Sequence, residues 1–325
     1  MKVGILLPHF GAESSIELVS QVAQKAEELG FDSVWVRDHL SFQPHGFEEQ
    51  STRFMEPFTL LASLATKTRR ITLGTAVTVP FRHPLVVSQL LGGIRDIAGP
   101  GRLIAGIGAG QPRLPFAATE TDFSNRFGRT REFAEILRAT FSGDLVDYSG
   151  GVYSFDGVVI DPAAGADTPI WYGGSSVGSV RRASTYADGW LPARCPLPIL
   201  QSRISQLRAE DATRNKSTTI AYMPLISITG EGAAPLRGDP LASLLREAKA
   251  NTWWEGTYGS RADLDGMLVA GSPEECLAEL LGFVESGVEY LVLDLRLRHR
   301  DFLLQLALLA EHVLPALQNA RPNAT

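Results

Sequence analysis

The sequence predicts an α/β fold, a closed (β/α)8 barrel of parallel strands, and three observations carry that prediction. Strand-length apolar runs recur eight times along the 325 residues. Most are continuously apolar rather than alternating, as strands covered on both faces are. Helical patterns separate them, so strand and helix alternate from one end to the other. A doubly wound open sheet shares the alternation, but eight units fit closure better.

Residues 3–8 form the first strand, and Ser14 with Glu17 has capping-box spacing at the start of a helix over 14–29. Gly30 ends that helix ahead of the second strand, 33–36. Helices over 57–67 and 84–97 enclose a third strand, 71–79, and residues 103–107 are the fourth. A helix over 126–141 follows, then strand 169–172, helix 177–186, strand 189–191 and helix 198–214. The seventh strand is 219–228. Ser272-Pro273-Glu274-Glu275 supplies an N-cap, a first-turn proline and early negative charge for helix 273–286. Strand 289–295 and helix 302–317 complete eight units. The reading is one domain over 1–325, with insertions at 40–56, 111–125, 142–168 and 230–271. The third carries a hairpin, 145–148 with 152–155, around Gly150-Gly151, and the fourth a helix near 241–253. Long loops at strand C-termini make or cover pockets.

Bulk composition narrows the function classes. With 44% hydrophobic and 20% charged residues, the chain reads as an ordinary globular protein. A net charge of −6 and the lack of any basic run of five or more argue against a nucleic-acid partner. Cys195 and Cys276 are too few and too far apart for a disulfide framework, so a reducing compartment is expected. No run approaches a membrane span and no apolar signal core opens the chain, so it reads as cytoplasmic.

Candidate chemistry gathers at strand ends. The second strand runs into Val36-Arg37-Asp38-His39-Leu40, which places an acid, an imidazole and an arginine at the edge where parallel barrels carry their sites. An N-cap aspartate beside a surface histidine explains the same residues. The fourth strand ends Gly106-Ile107-Gly108-Ala109-Gly110-Gln111. Its G-x-G-x-G spacing, followed by Pro112 and Pro115, does not open into a helix as a dinucleotide fingerprint must. Alternating glycines instead let a flat ligand approach bare backbone. The fifth strand ends Gly173-Gly174-Ser175-Ser176 at a helix start, where unsatisfied N–H groups suit a phosphate. Plain serine capping is the simpler alternative. Gly74-Thr75-Ala76-Val77 inside a buried strand suggests a bulge or close backbone approach. His83-Pro84 fits a helix start better than a catalyst. No metal-ligand spacing, paired carboxylates, Walker loop or G-x-S-x-G occurs. What remains is planar-ring support, a phosphate nest and one imidazole.

In order, these segments resemble the bacterial luciferase-like superfamily of flavin and deazaflavin enzymes. The resemblance rests on Val3-Gly4-Ile5-Leu6-Leu7-Pro8, on Glu28-Leu29-Gly30-Phe31-Asp32-Ser33-Val34-Trp35 with Asp38-His39, and on Ile71-Thr72-Leu73-Gly74-Thr75. Arg82-His83-Pro84, the three alternating glycines, Gly173-Gly174-Ser175, Ala187-Asp188-Gly189-Trp190 and Gly271-Ser272-Pro273 continue it across nearly the whole chain. Asp-His-Leu after strand two is more similar to the branch that uses coenzyme F420, a 5-deazaflavin; FMN is the alternative cofactor. The resemblance implies that Asp38 and His39 lie beside the ring. It implies that Thr75, Ala76 and Val77 form a bulge behind it, containing a non-prolyl cis peptide. Gly108, Ala109, Gly110 and Gln111 would line the ring's edge, and Gly173, Gly174, Ser175 and Ser176 would hold the phosphate. Sugar-phosphate dehydrogenases of this branch have a glutamate where this chain has Gln111, and use lysines where it has none between Lys67 and Lys216. A sugar-phosphate substrate is therefore not expected. The luciferases proper differ also, with other residues at Asp38-His39 and Ala109.

Three functions follow as expectations. The first is hydride transfer between F420 and a small, partly apolar substrate, with His39 as general acid/base and Asp38 orienting it or touching the cofactor. The second is an FMNH2-dependent monooxygenase fed by a separate reductase. The third is a barrel that binds a flavin without turnover. Phe42, Phe54, Phe116, Trp253, Trp254 and Tyr258 are candidate substrate walls, unless they pack the loops onto the barrel. Arg113, Arg194 and Arg261 are candidates to meet acidic groups on a substrate or cofactor tail. The family resemblance also implies a homodimer.

Overall fold

The structure is a computed structural model that describes residues 1–42, 51–111, 113–192, 194–230, 239–250 and 259–322. Its first half runs β1 (Lys2–Leu6), α1 (Ile16–Glu28), β2 (Ser33–Val36), α2 (Pro57–Lys67), β3 (Thr72–Thr75), α3 (Pro84–Ala98) and β4 (Leu103–Ile107). Then come α4 (Arg113–Ala118), α5 (Arg126–Thr140), the hairpin β5 (Val146–Ser149) and β6 (Ser154–Val158), β7 (Ile170–Gly173), α6 (Val177–Tyr186) and β8 (Gly189–Leu191). The remainder is α7 (Leu197–Arg214), β9 (Thr219–Tyr222), β10 (Leu225–Ile228), α8 (Pro240–Ala250), β11 (Leu268–Gly271), α9 (Pro273–Glu285), β12 (Tyr290–Asp294), α10 (Phe302–His312) and α11 (Leu314–Asn319).

Strands pair in the order β1-β2-β3-β4-β7-β8-β9-β12, and β12 returns to β1 in parallel from Lys2↔Tyr290 to Leu6↔Asp294. The predicted barrel is therefore closed. Every barrel pairing is parallel, and β5–β6 forms the predicted antiparallel hairpin apart from it.

Four local readings are corrected. The predicted strand 219–228 breaks at Met223-Pro224 into β9 and β10, because proline has no N–H for a ladder. Its carbonyl is still used, accepting from Asp294 N at 3.1 Å. Within 230–271, β11 adds to β10 in parallel, a four-residue strand too short to stand out in sequence. Pro115 does not prevent a helix after β4, since α4 places it in the first turn, where no intrahelical N–H is needed. The helix predicted over 302–317 is interrupted at Val313, and α11 restarts at Leu314 with Pro315 in its first turn.

Two packed regions follow from strand alternation. Val3, Ile5, Val34, Val36, Leu73, Ala105, Ile107, Ile170 and Tyr172 face the helices in one large apolar core. Leu6, Trp35, Ile104, Trp171, Leu191, Ala221, Met223, Tyr290 and Val292 point into the barrel. Its centre is filled by Trp35 and Trp171, ring centres 5.2 Å apart, with Tyr290 edge-on to both at 6.0 and 5.0 Å. Such rings need room. A side chain at Gly74 would meet the Trp35 ring at 2.4 Å, and one at Gly189 the Trp171 ring at 2.5 Å. The Gly74 signal thus records a tryptophan in the barrel core. Beyond this plug lie the residues of the C-terminal rim.

Among the described residues, no helix is long and apolar enough to cross a membrane. Cys195 and Cys276 are both buried and free.

Candidate active site

β2 ends beneath a buried histidine. His9 donates from Nδ1 to the Leu7 carbonyl at 2.7 Å, and its Nε2 accepts from Arg37 N at 2.9 Å. Burial, then the Arg37 charge, hold its pKa down at about 3, so the ring is neutral and its tautomer is fixed. His9 therefore anchors the backbone that presents Asp38 and His39. The Asp38 carboxylate is buried and accepts from Arg82 Nη1 at 2.7 Å and, more weakly, from Val79 N at 3.4 Å. Arg82 also reaches Glu56 at 3.1 Å. Burial pushes the Asp38 carboxyl upward, against the pull of the Arg82 charge. His39 is half-buried, its ring edge-on to Phe54 at 5.2 Å and to Phe42 at 5.8 Å.

The end of β3 fits against β4 and β7. The Ala76–Val77 peptide is cis, and the chain rejoins β4 through a bridge between Thr78 and Ile107. Val77 is wedged between two glycines. A Cβ on Gly108 would meet its Cγ2 at 2.5 Å, and one on Gly173 would meet both its methyls at 2.9 Å. A Cβ on Gly106 would strike the Thr75 carbonyl at 1.8 Å, and one on Gly110 the Val79 side chain at 2.7 Å. These glycines seat the bulge, a different reason from ligand approach to bare backbone. Thr75 helps to hold it, because its hydroxyl donates to Gly106 O at 2.8 Å and accepts from Gly106 N at 2.9 Å.

The Gly173–Ser176 turn leads into α6. Ser176 caps the helix, its Oγ accepting from Ser179 N at 3.1 Å, so the capping alternative holds for that hydroxyl. Gly174 takes φ +129°, and its carbonyl accepts from Trp190 Nε1 at 2.8 Å. The first N–H groups of α6, at Val177 and Gly178, are those no helix can satisfy internally. Ser175 is buried and Gly173 half-buried.

The structure thus brings together Asp38, Val77, Gly108 and Gly173 around one bulge, with His39 beside them on the β2 loop. Ala109 is buried and Gln111 exposed on the same rim. His83 caps α3, its Nδ1 accepting from Leu85 N at 3.3 Å, in keeping with its place before Pro84. Of the aromatic walls, Phe42 and Phe54 join Phe10 in a cluster with ring centres 5.3 to 5.8 Å apart. Phe116 is fully buried and packs on Phe81 and Phe123, so it pins α4 down. Trp253, Trp254 and Tyr258 lie outside the described residues.

Sequence reasoning missed a polar cluster across the same rim. Asp294, fully buried at the end of β12, accepts from Arg296 Nε at 2.8 Å, and Arg194 approaches it at 3.7 Å. Burial pushes its carboxyl up, but Arg296, then Arg194 and Arg37, outweigh this and hold it well below the usual range. Arg194 thereby has an acid partner within the chain. Arg37 and Arg296 lie over the Phe10 ring at 4.2 and 5.3 Å. The signal was available: residues 290–294 form an apolar strand ending in a carboxylate, as 33–38 do. Among the described residues no group of three histidine, cysteine or acidic side chains is placed to hold a metal.

The chain is thus a closed parallel barrel with a bulged third strand, glycine-rich turns and an acid–imidazole pair on one rim. Residues 1–290 match the luciferase-like monooxygenase family, and the chain belongs to it. An F420-dependent hydroxymycolic acid dehydrogenase of Mycobacterium tuberculosis is 32% identical over 244 residues, 74% of this chain and 66% of that protein. An F420-dependent glucose-6-phosphate dehydrogenase of Nakamurella multipartita is 30% identical over 200 residues, 59% and 58%. The matched stretches span less than two thirds of those two relatives. Two solved structures share the fold. An F420-dependent secondary alcohol dehydrogenase with an F420-acetone adduct has a TM-score of 0.79 at 18% identity, covering 96% of this chain and 98% of that one. The oxygenating constituent of 3,6-diketocamphane monooxygenase of Pseudomonas putida, with FMN, has a TM-score of 0.77 at 17% identity, covering 97% and 98%.

Proposed function

We propose that the protein is an F420-dependent oxidoreductase that moves a hydride to or from a small, partly apolar organic substrate. The observation that carries this reading is the convergence of Asp38-His39, the Val77 bulge, Gly108 and Gly173 on one rim, in a chain similar to F420-dependent dehydrogenases. The residues fit a tricyclic ring with a phosphate. Val77, seated by Gly108 and Gly173, offers an apolar, part-exposed wall, and α6 opens with N–H groups that favour an anion. When bound, the deazaflavin supplies the hydride-carrying carbon.

The chain's own groups do the rest. Asp38, Ala76, Val77, Gly108, Ala109, Gly110 and Gln111 hold the ring, and Gly173, Gly174, Ser175 and the α6 start hold the phosphate. His39 Nδ1 or Nε2 gives or takes the proton that accompanies hydride transfer to a carbonyl or from an alcohol. Asp38, kept in place by Arg82, fixes the loop that carries His39. Phe10, Phe42 and Phe54 exclude water and favour an apolar substrate body. A small-molecule substrate and a cytoplasmic homodimer belong to this proposal.

The second reading is a monooxygenase that receives reduced FMN from a partner reductase. Its support is the shared fold of the FMN-bound camphane enzyme. Turnover decides between them. Anaerobic reduction or oxidation of F420 with small alcohols and ketones supports the first; oxygen uptake with reduced FMN, and none with F420, supports the second.

A further inference from the structure

Three arginines gather beside both glycine-rich turns. Arg113 opens α4 just after Gly110-Gln111, Arg126 opens α5, and Arg182 lies on the second turn of α6. They interleave with two phenylalanines. The Phe123 ring is faced by Arg113 at 4.5 Å and Arg126 at 4.1 Å, and the Phe127 ring by Arg126 at 4.2 Å and Arg182 at 3.8 Å. Arg182 also reaches the α6 start, where a Cβ on Gly178 would meet both its terminal nitrogens at 3.3 Å.

Among the described residues, no carboxylate is ion-paired with any of the three. Elsewhere arginines are paired as usual: Arg82 with Asp38, Arg138 with Asp188, Arg208 with Glu289, Arg296 with Asp294. Like charges packed together oppose one another. Burial, then Arg113 and Arg182, pull the Arg126 pKa down. Three such cations repel one another on one patch, whereas an anion arriving there is attracted by all three. Stacking occupies the guanidinium faces, Arg126 Nη1 donates to the Phe123 carbonyl at 3.1 Å and Arg182 donates to the Tyr172 hydroxyl, and the in-plane N–H groups that remain are of the kind that grips carboxylates and phosphates.

We infer that Arg113, Arg126 and Arg182 form a docking patch for the acidic tail of the cofactor, beyond the phosphate held at the start of α6. This rests on the F420 reading and adds to it. FMN ends at its phosphate, whereas the deazaflavin cofactor continues through phospholactate into glutamate carboxylates, so the patch would discriminate between them.

Equilibrium binding, read by deazaflavin fluorescence at low and high salt, tests it with three ligands: the bare deazaflavin nucleoside, its phospholactate form, and the complete cofactor with glutamates. The unaltered protein should bind the complete cofactor about tenfold or more tighter than the phospholactate form, a margin that shrinks as salt rises. An Arg113→Gln/Arg182→Gln variant should lose that margin while still binding the bare nucleoside, which shows that it has folded. Should the glutamates add nothing in the unaltered protein, or the variant keep the margin, the tail patch is overturned although F420 still binds. Should no deazaflavin bind while FMN does, the F420 reading falls, and the patch with it.

Discussion

At the scale of single residues, the rim divides into groups that act and groups that hold. His39 is half-exposed among aromatic edges, the setting of a side chain that exchanges a proton with a ligand. His39→Ala should therefore lower kcat about 10²- to 10⁴-fold while leaving cofactor affinity close to that of the parent. Unchanged turnover in steady-state assays would remove its role. Asp38 illustrates holding. Replacing Arg82 with Met leaves that carboxylate buried without its cation, a loss of roughly 2–4 kcal/mol at neutral pH. The sign of its pH dependence follows from the raised pKa of Asp38. Protonation relieves the buried charge, so the deficit against the parent should shrink as pH falls through the carboxyl range. Asp294 runs the other way. Its lowered pKa means that its stabilising effect is complete above the ordinary carboxylate range and fades as pH drops. Asp294→Asn should cost about 3–5 kcal/mol at neutral pH and progressively less in acid, measured by urea unfolding across pH. A pH-independent deficit would contradict the assignment.

At the scale of elements, the site depends on how β3 departs from its ladder. Val77 fits because β4 and β7 have glycine where it presses. Gly108→Ala should displace the bulge, cost roughly 1–3 kcal/mol, and weaken cofactor binding beyond what the lost stability explains. Adding Val77→Ala should restore most of the stability; no recovery in the double variant would show that the wedge is not the cause. This arrangement was half legible. Gly74-Thr75-Ala76-Val77 advertised an irregular strand, and the spaced glycines advertised close contact, but the contact is with a valine and a tryptophan of the same chain. Nothing in Gly106 or Gly108 says which neighbour will claim the space, because that neighbour comes from another strand, remote in sequence. Proline misleads for a related reason. Pro115 and Pro315 each lie in the first turn of a helix, and sequence alone does not say whether a proline falls inside a helix or in its first turn.

At the scale of the whole molecule, the barrel was readable because every strand is covered on both faces, leaving long apolar runs between amphipathic helices. Strand ends were also readable: a charged residue closing such a run lies on the rim, as Asp38 does. What sequence hid was the far side of the mouth, where Arg37 and Arg194, remote in the chain, join the neighbouring Arg296 around Asp294. Closure of the barrel by β12 against β1 brings them together, and no local pattern encodes that closure. The central claim is that this rim holds a deazaflavin. Titrating the purified protein in parallel with F420 and with FMN tests it most directly. The account predicts saturable F420 binding at least about tenfold tighter than FMN, a difference of about 1.4 kcal/mol; equal affinities, or tighter FMN, would contradict it.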